Sequence, residues 1–101
     1  MENKASPSLR RRSSGLEIRR IGADLLVLDL ETNLIHRLNE TAGLIWANHD
    51  ECRSDEALTR LLVDRFAVEW EIALDDVRSI LEALKESKLL VPDEFLDSPK
   101  D

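Results

Sequence analysis

Apolar and polar residues alternate in three short runs near the start of the chain, each followed by turn-forming residues. The first run, "LEIRRI" (16–21), has the period of two that is typical of a half-buried strand. The runs "LLVLDL" (25–30) and "LIHRL" (34–38) follow the short segments "GAD" and "ETN". Asn33 closes the second connection, and asparagine tolerates the left-handed backbone of hairpin turns. The pattern predicts a three-stranded antiparallel meander.

The middle run is apolar on both faces of the predicted sheet. Leu25 and Val27 alternate with Leu26, Leu28 and Leu30, so the pattern does not show which face of the sheet is exposed to solvent. Either both faces are covered or one is left exposed for a partner. Cover by the N-terminal segment or by a second copy of the chain explains the pattern equally well.

Downstream of residue 39 the apolar spacing changes to three and four, which is typical of helices. Asn39 and Ser54 stand at N-cap positions before helices predicted over 40–48 and 55–66. A third helix is predicted over 70–87, since its apolar residues form one continuous stripe. That stripe consists of Ala73, Val77, Ile80, Leu81 and Leu84.

The predicted order β-β-β-α-α-α gives an α+β, winged-helix-like domain over residues 16–91, with 89–91 extended. Residues 1–15 are rich in Ser and Arg and predict a disordered basic tail. Its arginines could stay solvated, contact nucleic acid or an acidic partner, or fold back on the acidic body. Residues 92–101 predict a flexible acidic tail that follows Pro92.

Charge is distributed unevenly along the 101 residues. Residues 1–22 carry six basic and two acidic side chains, whereas the remainder carries eight basic and 19 acidic ones. A duplex-DNA binder needs positive charge to neutralise phosphates, so the acidic body favours a basic or amphipathic peptide or protein partner. No apolar run approaches the roughly 20 residues that span a bilayer, and no signal peptide is apparent, which predicts a cytoplasmic protein without a membrane partner.

Catalytic chemistry has little support in the sequence. There is one cysteine, Cys52, and the three glycines are isolated, so no Cys-rich zinc site or phosphate loop is present. His36 and His49 have no Cys or His partner at ligand spacing. We therefore predict no cofactor, no metal and no enzymatic activity.

Binding is better supported, because "LIHRL" would be the edge strand of a short sheet. An edge strand offers unpaired N–H and C=O groups to an extended peptide, which adds to the sheet as a further strand. The third helix would form the other wall of the groove, where its charged stripe of Arg78, Glu82 and Lys85 could select the peptide.

Two segments resemble a known family. "LNETAGLIW" (38–46), preceded by the hairpin "LLVLDLETNLIHR", is similar to the signature of PqqD-like proteins, also called RiPP recognition elements. "EALTRLLVDRFAV" and "DDVRSILEALKESKLLV" resemble the second and third helices of that family. The resemblance covers roughly residues 16–91. Lys88 is a departure, because many relatives carry glycine in its neighbourhood.

The resemblance implies a non-catalytic chaperone that holds the leader of a ribosomally made precursor peptide. Such proteins present the precursor to a modifying enzyme, which is a radical-SAM protein in pyrroloquinoline quinone synthesis and a peptidase and cyclase system in lasso peptide synthesis. By position, the peptide-binding residues would be Leu34, Ile35, His36, Arg37 and Leu38, with Arg78, Leu81 and Lys85 of the third helix.

Two alternatives remain at this point. A winged-helix DNA-binding regulator would share the architecture, but its recognition helix should be basic, and here Asp75, Asp76, Glu82 and Glu86 outnumber the basic residues. An enzyme ranks last. The sequence predicts a monomer or weak homodimer without a nucleic-acid partner.

Overall fold

The fold is described by a computed structural model over residues 9–92. Five strands and three helices follow one another along the chain. They are β1 (Leu9–Arg11), β2 (Leu16–Ile21), β3 (Asp24–Asp29), β4 (Leu34–Leu38), α1 (Glu40–Asn48), α2 (Asp55–Phe66), α3 (Trp70–Glu86) and β5 (Leu90–Pro92). Strands β2, β3 and β4 form an antiparallel sheet in that order, and β1 pairs with β5 in a small second sheet. The predicted α+β class is confirmed, with the second sheet as an addition.

The three-stranded sheet has one face against the core. Leu25 and Val27 of β3 and Leu38 of β4 are buried on that face, because Leu25 pairs with Leu38 and paired residues point the same way. The opposite face leaves Ile35 64% exposed. β3 ends one residue before the predicted end: Leu30 lies in the turn and its N–H bonds to the carbonyl of Gly15 at 2.8 Å.

Side chains cap the first two helices, as predicted. The Asn39 side chain accepts a hydrogen bond from the N–H of Ala42 at 2.8 Å, and that of Ser54 accepts one from Ala57 at 3.0 Å. Each cap satisfies a backbone donor that the first helical turn leaves unpaired. α3 begins without a side-chain cap and ends at Glu86, one residue before the predicted end.

The core lies between the sheet and the helices and centres on α1. Ile45 and Trp46 are buried there, and the Trp46 indole N–H donates to the carbonyl of Leu89 at 2.9 Å. This bond ties α1 to the segment that follows α3. The other buried apolar side chains are Leu25, Val27, Leu38, Leu58, Leu62, Ala73, Val77, Leu84, Leu89 and Leu90.

Strand β1 corrects the prediction that the chain is disordered up to residue 15. Arg12 follows β1 directly, and its N–H donates to the Leu89 carbonyl at 3.0 Å. The Arg12 guanidinium donates one hydrogen bond to each carboxylate oxygen of Asp29, both at 2.8 Å. Arg11 donates its N–H to Asp50 at 2.9 Å and lies over the Trp46 ring. These partners are distant in sequence, so local patterning could not reveal them. Residues 9–12 instead follow the alternative in which the N-terminal segment folds back on the acidic body.

Residues 1–8 and 93–101, which include the remainder of both predicted tails, lie outside the described part of the chain. Within the described residues, none of the three helices is both long and apolar enough to span a membrane.

Candidate functional site

Strand β4 forms one free edge of the three-stranded sheet. It pairs with β3 on one side, and no strand of the described chain lies on the other. In an antiparallel sheet every second residue of an edge strand turns its N–H and C=O away from its neighbour. β4 therefore presents a row of unpaired backbone donors and acceptors beside α3.

A cleft of about 580 Å³ separates β4 from the C-terminal half of α3. Its floor and helical wall are mainly apolar, since Leu38, Ala42, Ile80 and Leu84 lie there. Polar and charged residues complete the lining. The full lining is Asp24, Ile35, His36, Arg37, Leu38, Asn39, Ala42, Ile80, Ala83, Leu84 and Ser87.

A second cleft of about 500 Å³ continues the first one toward the β3–β4 turn. The two share His36 and Ser87, so together they form one groove along the length of β4. More of its lining residues are charged than in the first cleft, although most of the surface that they present to the cleft is apolar. Besides the shared residues it consists of Arg12, Asp29, Glu31, Thr32, Leu34, Glu86 and Lys88. We call the combined feature the β4–α3 groove.

His36 stands where the two clefts meet. Its ring lies on the core-facing side of the sheet, because His36 pairs with the fully buried Val27. The Nε2 atom is buried and has no hydrogen-bond partner among the described residues. A buried polar atom without a partner costs free energy, so His36 is a position where the described structure leaves a polar group unsatisfied.

The turn that leads into β4 is held by Asp29. This carboxylate is 2% exposed and accepts the backbone N–H groups of Glu31 at 2.9 Å and Thr32 at 3.3 Å. The hydrogen bond from Arg12 is the main reason that the pKa of Asp29 is lowered well below its usual range, and the two backbone bonds add to it against the opposing effect of burial. Asn33, at φ 65°, adopts the predicted left-handed conformation.

Arg37 orients the other end of the strand. Its guanidinium bonds Asp24 at 2.9 Å through Nε and 2.8 Å through Nη2, on the face away from the core. The pair links β4 to the start of β3 and borders the first cleft.

Of the binding residues predicted from the sequence, those on the strand line the groove and those on the helix do not. Leu34, Ile35, His36, Arg37 and Leu38 all line the β4–α3 groove. The three helix residues do not. Arg78 points to α2, with its Nε 3.4 Å from Asp55, Leu81 packs against the core, and Lys85 pairs with Glu82 at 3.7 Å.

The helical wall of the groove consists instead of Ile80, Ala83, Leu84 and Ser87. Their spacing of three and four puts them on one face of the helix, separate from the predicted set. That spacing was visible in the sequence. Ala83 and Ser87 are small and uncharged, so no sequence signal marks them as binding residues, but their size leaves room for an occupant.

Neither a metal site nor a basic recognition helix is found in the described residues. No group of three or more His, Cys, Asp or Glu side chains there could hold a metal ion. The exposed surface of α3 carries Asp75, Asp76, Glu82 and Glu86, an arrangement that repels the phosphates of a duplex.

Comparison with known proteins links this architecture to a family. The family described as "Coenzyme PQQ synthesis protein D (PqqD)" matches residues 24–90. No curated protein matches the chain.

Two solved structures share the fold. One, described as TbiB1 in complex with the TbiA(beta) leader peptide, is 21% identical, with a TM-score of 0.67, and the match covers 91% of this chain and 99% of that one. The other, a lasso peptide synthetase B1 complexed with the leader peptide, is 24% identical, with a TM-score of 0.70, and the match covers 84% of this chain and 99% of that one.

Proposed function

The chain belongs to the PqqD family, and from that premise we propose that it binds the leader segment of a ribosomally made precursor peptide. The observation that carries the proposal is the β4–α3 groove, which lies beside an unpaired strand edge. The two similar solved structures are both complexes with leader peptides, which supports the same role.

The leader adds to the sheet as a strand next to β4. Backbone hydrogen bonds to the unpaired groups of Leu34–Leu38 supply affinity that does not depend on sequence. Alternate side chains of an extended peptide then point into the groove and away from it. Those that enter meet the apolar wall of Ile80 and Leu84 in the first cleft, and in the second a mainly apolar surface that charged residues surround.

The protein itself performs no chemistry in this account. It holds the leader and thereby raises the concentration of the precursor near a modifying enzyme. That enzyme is a radical-SAM protein or a peptidase and cyclase system, according to the pathway in which the chain works. A short precursor reading frame beside the gene for this chain would supply the natural leader for experiments.

Two substitutions on α3 test the position of the groove. Ala83→Arg puts a long charged side chain into the first cleft, so the dissociation constant for the leader should rise at least about tenfold. Arg78→Ala changes the helix face that lies toward α2, so it should leave the affinity within about twofold. Fluorescence anisotropy with a labelled leader peptide measures both, and thermal unfolding checks that each variant is folded.

Equal affinity of the Ala83→Arg variant and the native chain would exclude the groove as the binding site. A large loss in the Arg78→Ala variant alone would transfer the site to the other face of α3, where the sequence first suggested it.

A further inference from the structure

The other outer strand of the sheet, β2, is a second free edge. Within residues 9–92, β3 is the only element that packs closely against β2. All of β2 after Leu16 is exposed, including Ile18 at 49% and Ile21 at 52%. A cleft of about 330 Å³ beside Arg20 is walled by α1 and by Arg65 of α2. In the described part of the chain, Arg20 is the only residue of β2 that lines this cleft, so no groove follows the length of this edge as one follows β4.

Free edges invite pairing with another strand unless charge or shape prevents it. The charges on β2 do not prevent it. Glu17 and Arg19 lie on the face away from the core and have opposite signs, while Ile18 lies between them on the core-facing side. This short pattern is complementary to itself when it is read in the reverse direction.

A symmetric antiparallel pair of β2 strands has few registers to choose from, because directly paired residues share a face. Centring the axis on Glu17 opposes two glutamates, and centring it on Arg19 opposes two arginines; like charges directly opposite each other are destabilising. Centring it on Ile18 opposes the two isoleucines. Each Glu17 then faces Arg19 of the second copy.

We propose that two copies of this chain associate as a homodimer through antiparallel pairing of β2 about Ile18, with Glu17 of each copy opposite Arg19 of the other. The result is one continuous sheet of six strands in the order β4-β3-β2-β2-β3-β4. The partner is therefore a second copy of the chain, and both β4 edges remain on the outside.

In the dimer, the ion pairs between Glu17 of one copy and Arg19 of the other replace the Glu17–Arg19 pair within each chain. Within one chain Glu17 and Arg19 approach only to 3.4 Å, with half or more of each side chain exposed, so little is lost when they separate. Pairing satisfies the backbone groups of the edge and covers Ile18. The net charge of −7 per chain opposes association, but at about 0.15 M salt it is screened beyond about 8 Å, whereas the paired charges lie within contact distance.

One strand per copy makes a small interface, so the dimer is weak and depends on concentration. It is independent of the proposed peptide function, since leader binding uses the opposite edge of each sheet. A failure of either idea therefore leaves the other untouched.

Sedimentation velocity between about 10 µM and 1 mM chain tests the dimer through charge reversal. Glu17→Arg places two arginines opposite each other, and Arg19→Glu places two glutamates opposite each other, so each variant should raise the dissociation constant by about tenfold or more. The double variant restores opposite pairs and should return to the native value. An equimolar mixture of the two single variants should form a mixed dimer.

Peptide affinity serves as the control, since both single variants should bind the leader as the native chain does. A native chain that stays monomeric over the whole range overturns the proposal. So does a dimer whose dissociation constant neither single variant changes, or a pair of single variants that do not associate when mixed.

Discussion

At the scale of single residues, three non-glycine positions in the described chain adopt left-handed backbone: Asn33, Ala67 and Lys88. Asparagine tolerates this conformation, but alanine and lysine are strained by the contact between Cβ and the backbone. Lys88 follows α3 at φ 63°, a conformation that glycine adopts without the steric conflict of a Cβ atom. Ala67 ends α2 at φ 56°, and its N–H bonds the carbonyl of Val63.

Replacing Ala67 with glycine should therefore stabilise the fold. The left-handed conformation costs glycine nothing, and we expect the free energy of unfolding to rise by about 1 kcal/mol. The same replacement at Ala47, on the exposed face of α1, should lower it by about 1 kcal/mol, because glycine is a poor helix former. Urea unfolding of both variants measures the difference. If both replacements changed the free energy of unfolding in the same direction, the left-handed conformation of Ala67 would be contradicted.

Asp29 gives the fold a specific pH dependence. Its pKa is lowered in the folded chain, mainly by the hydrogen bond from Arg12, so it contributes stability that is fully present above its ordinary value near 4. That contribution is lost as the pH falls below about 4 toward the lowered pKa. Thermal unfolding midpoints measured between about pH 2 and pH 7 record this loss of stability.

The Asp29→Asn variant should be less stable than the native chain at neutral pH and should lose less stability on acidification. Asp75→Asn, at an exposed site on α3, should keep both the native stability and the native pH profile. A native pH profile in the Asp29→Asn variant would show that the Arg12 pair does not hold the turn.

At the scale of elements, the start of α1 follows β4 directly, so its cap fixes where the edge strand ends. Replacing Asn39 with alanine removes the hydrogen bond to the N–H of Ala42 and should cost about 1 kcal/mol, or about 4–8 °C in the unfolding midpoint. Ser79→Ala, on the exposed surface of α3, should change the midpoint by less than half as much. Scanning calorimetry compares the two.

Elements that depend on local patterning could be predicted from the sequence, and those that depend on distant partners could not. The three strands and three helices agree with the predictions to within one residue at each end, because alternation and capping are local signals. Local patterning does not predict β1, because the partners of its Arg11, Leu90 and Asp50, lie far away in the chain. The strand side of the groove was predicted, whereas the helix face was not, because α3 is polar and charged on more than one side.

At the scale of the whole molecule, the uneven charge has a structural outcome. Part of the basic N-terminal segment lies on the acidic body, where the Arg12 guanidinium pairs with the carboxylate of Asp29 and the backbone N–H of Arg11 donates to Asp50. The sheet then keeps two free edges with different surroundings. β4 borders a groove against α3 along its whole length, whereas in the described residues β2 contributes only Arg20 to a cleft and carries a self-complementary pattern of charge. We assign peptide binding to the first edge and self-association to the second.

Hydrogen exchange of the backbone amides tests the central claim most directly, since strand addition must create new hydrogen bonds. With saturating leader peptide at a low protein concentration, the amides of Leu34–Leu38 that point away from β3 should exchange at least about tenfold more slowly. The amides of β2 should be unchanged. Unchanged exchange in β4, or protection that appears in β2 instead, would contradict the account.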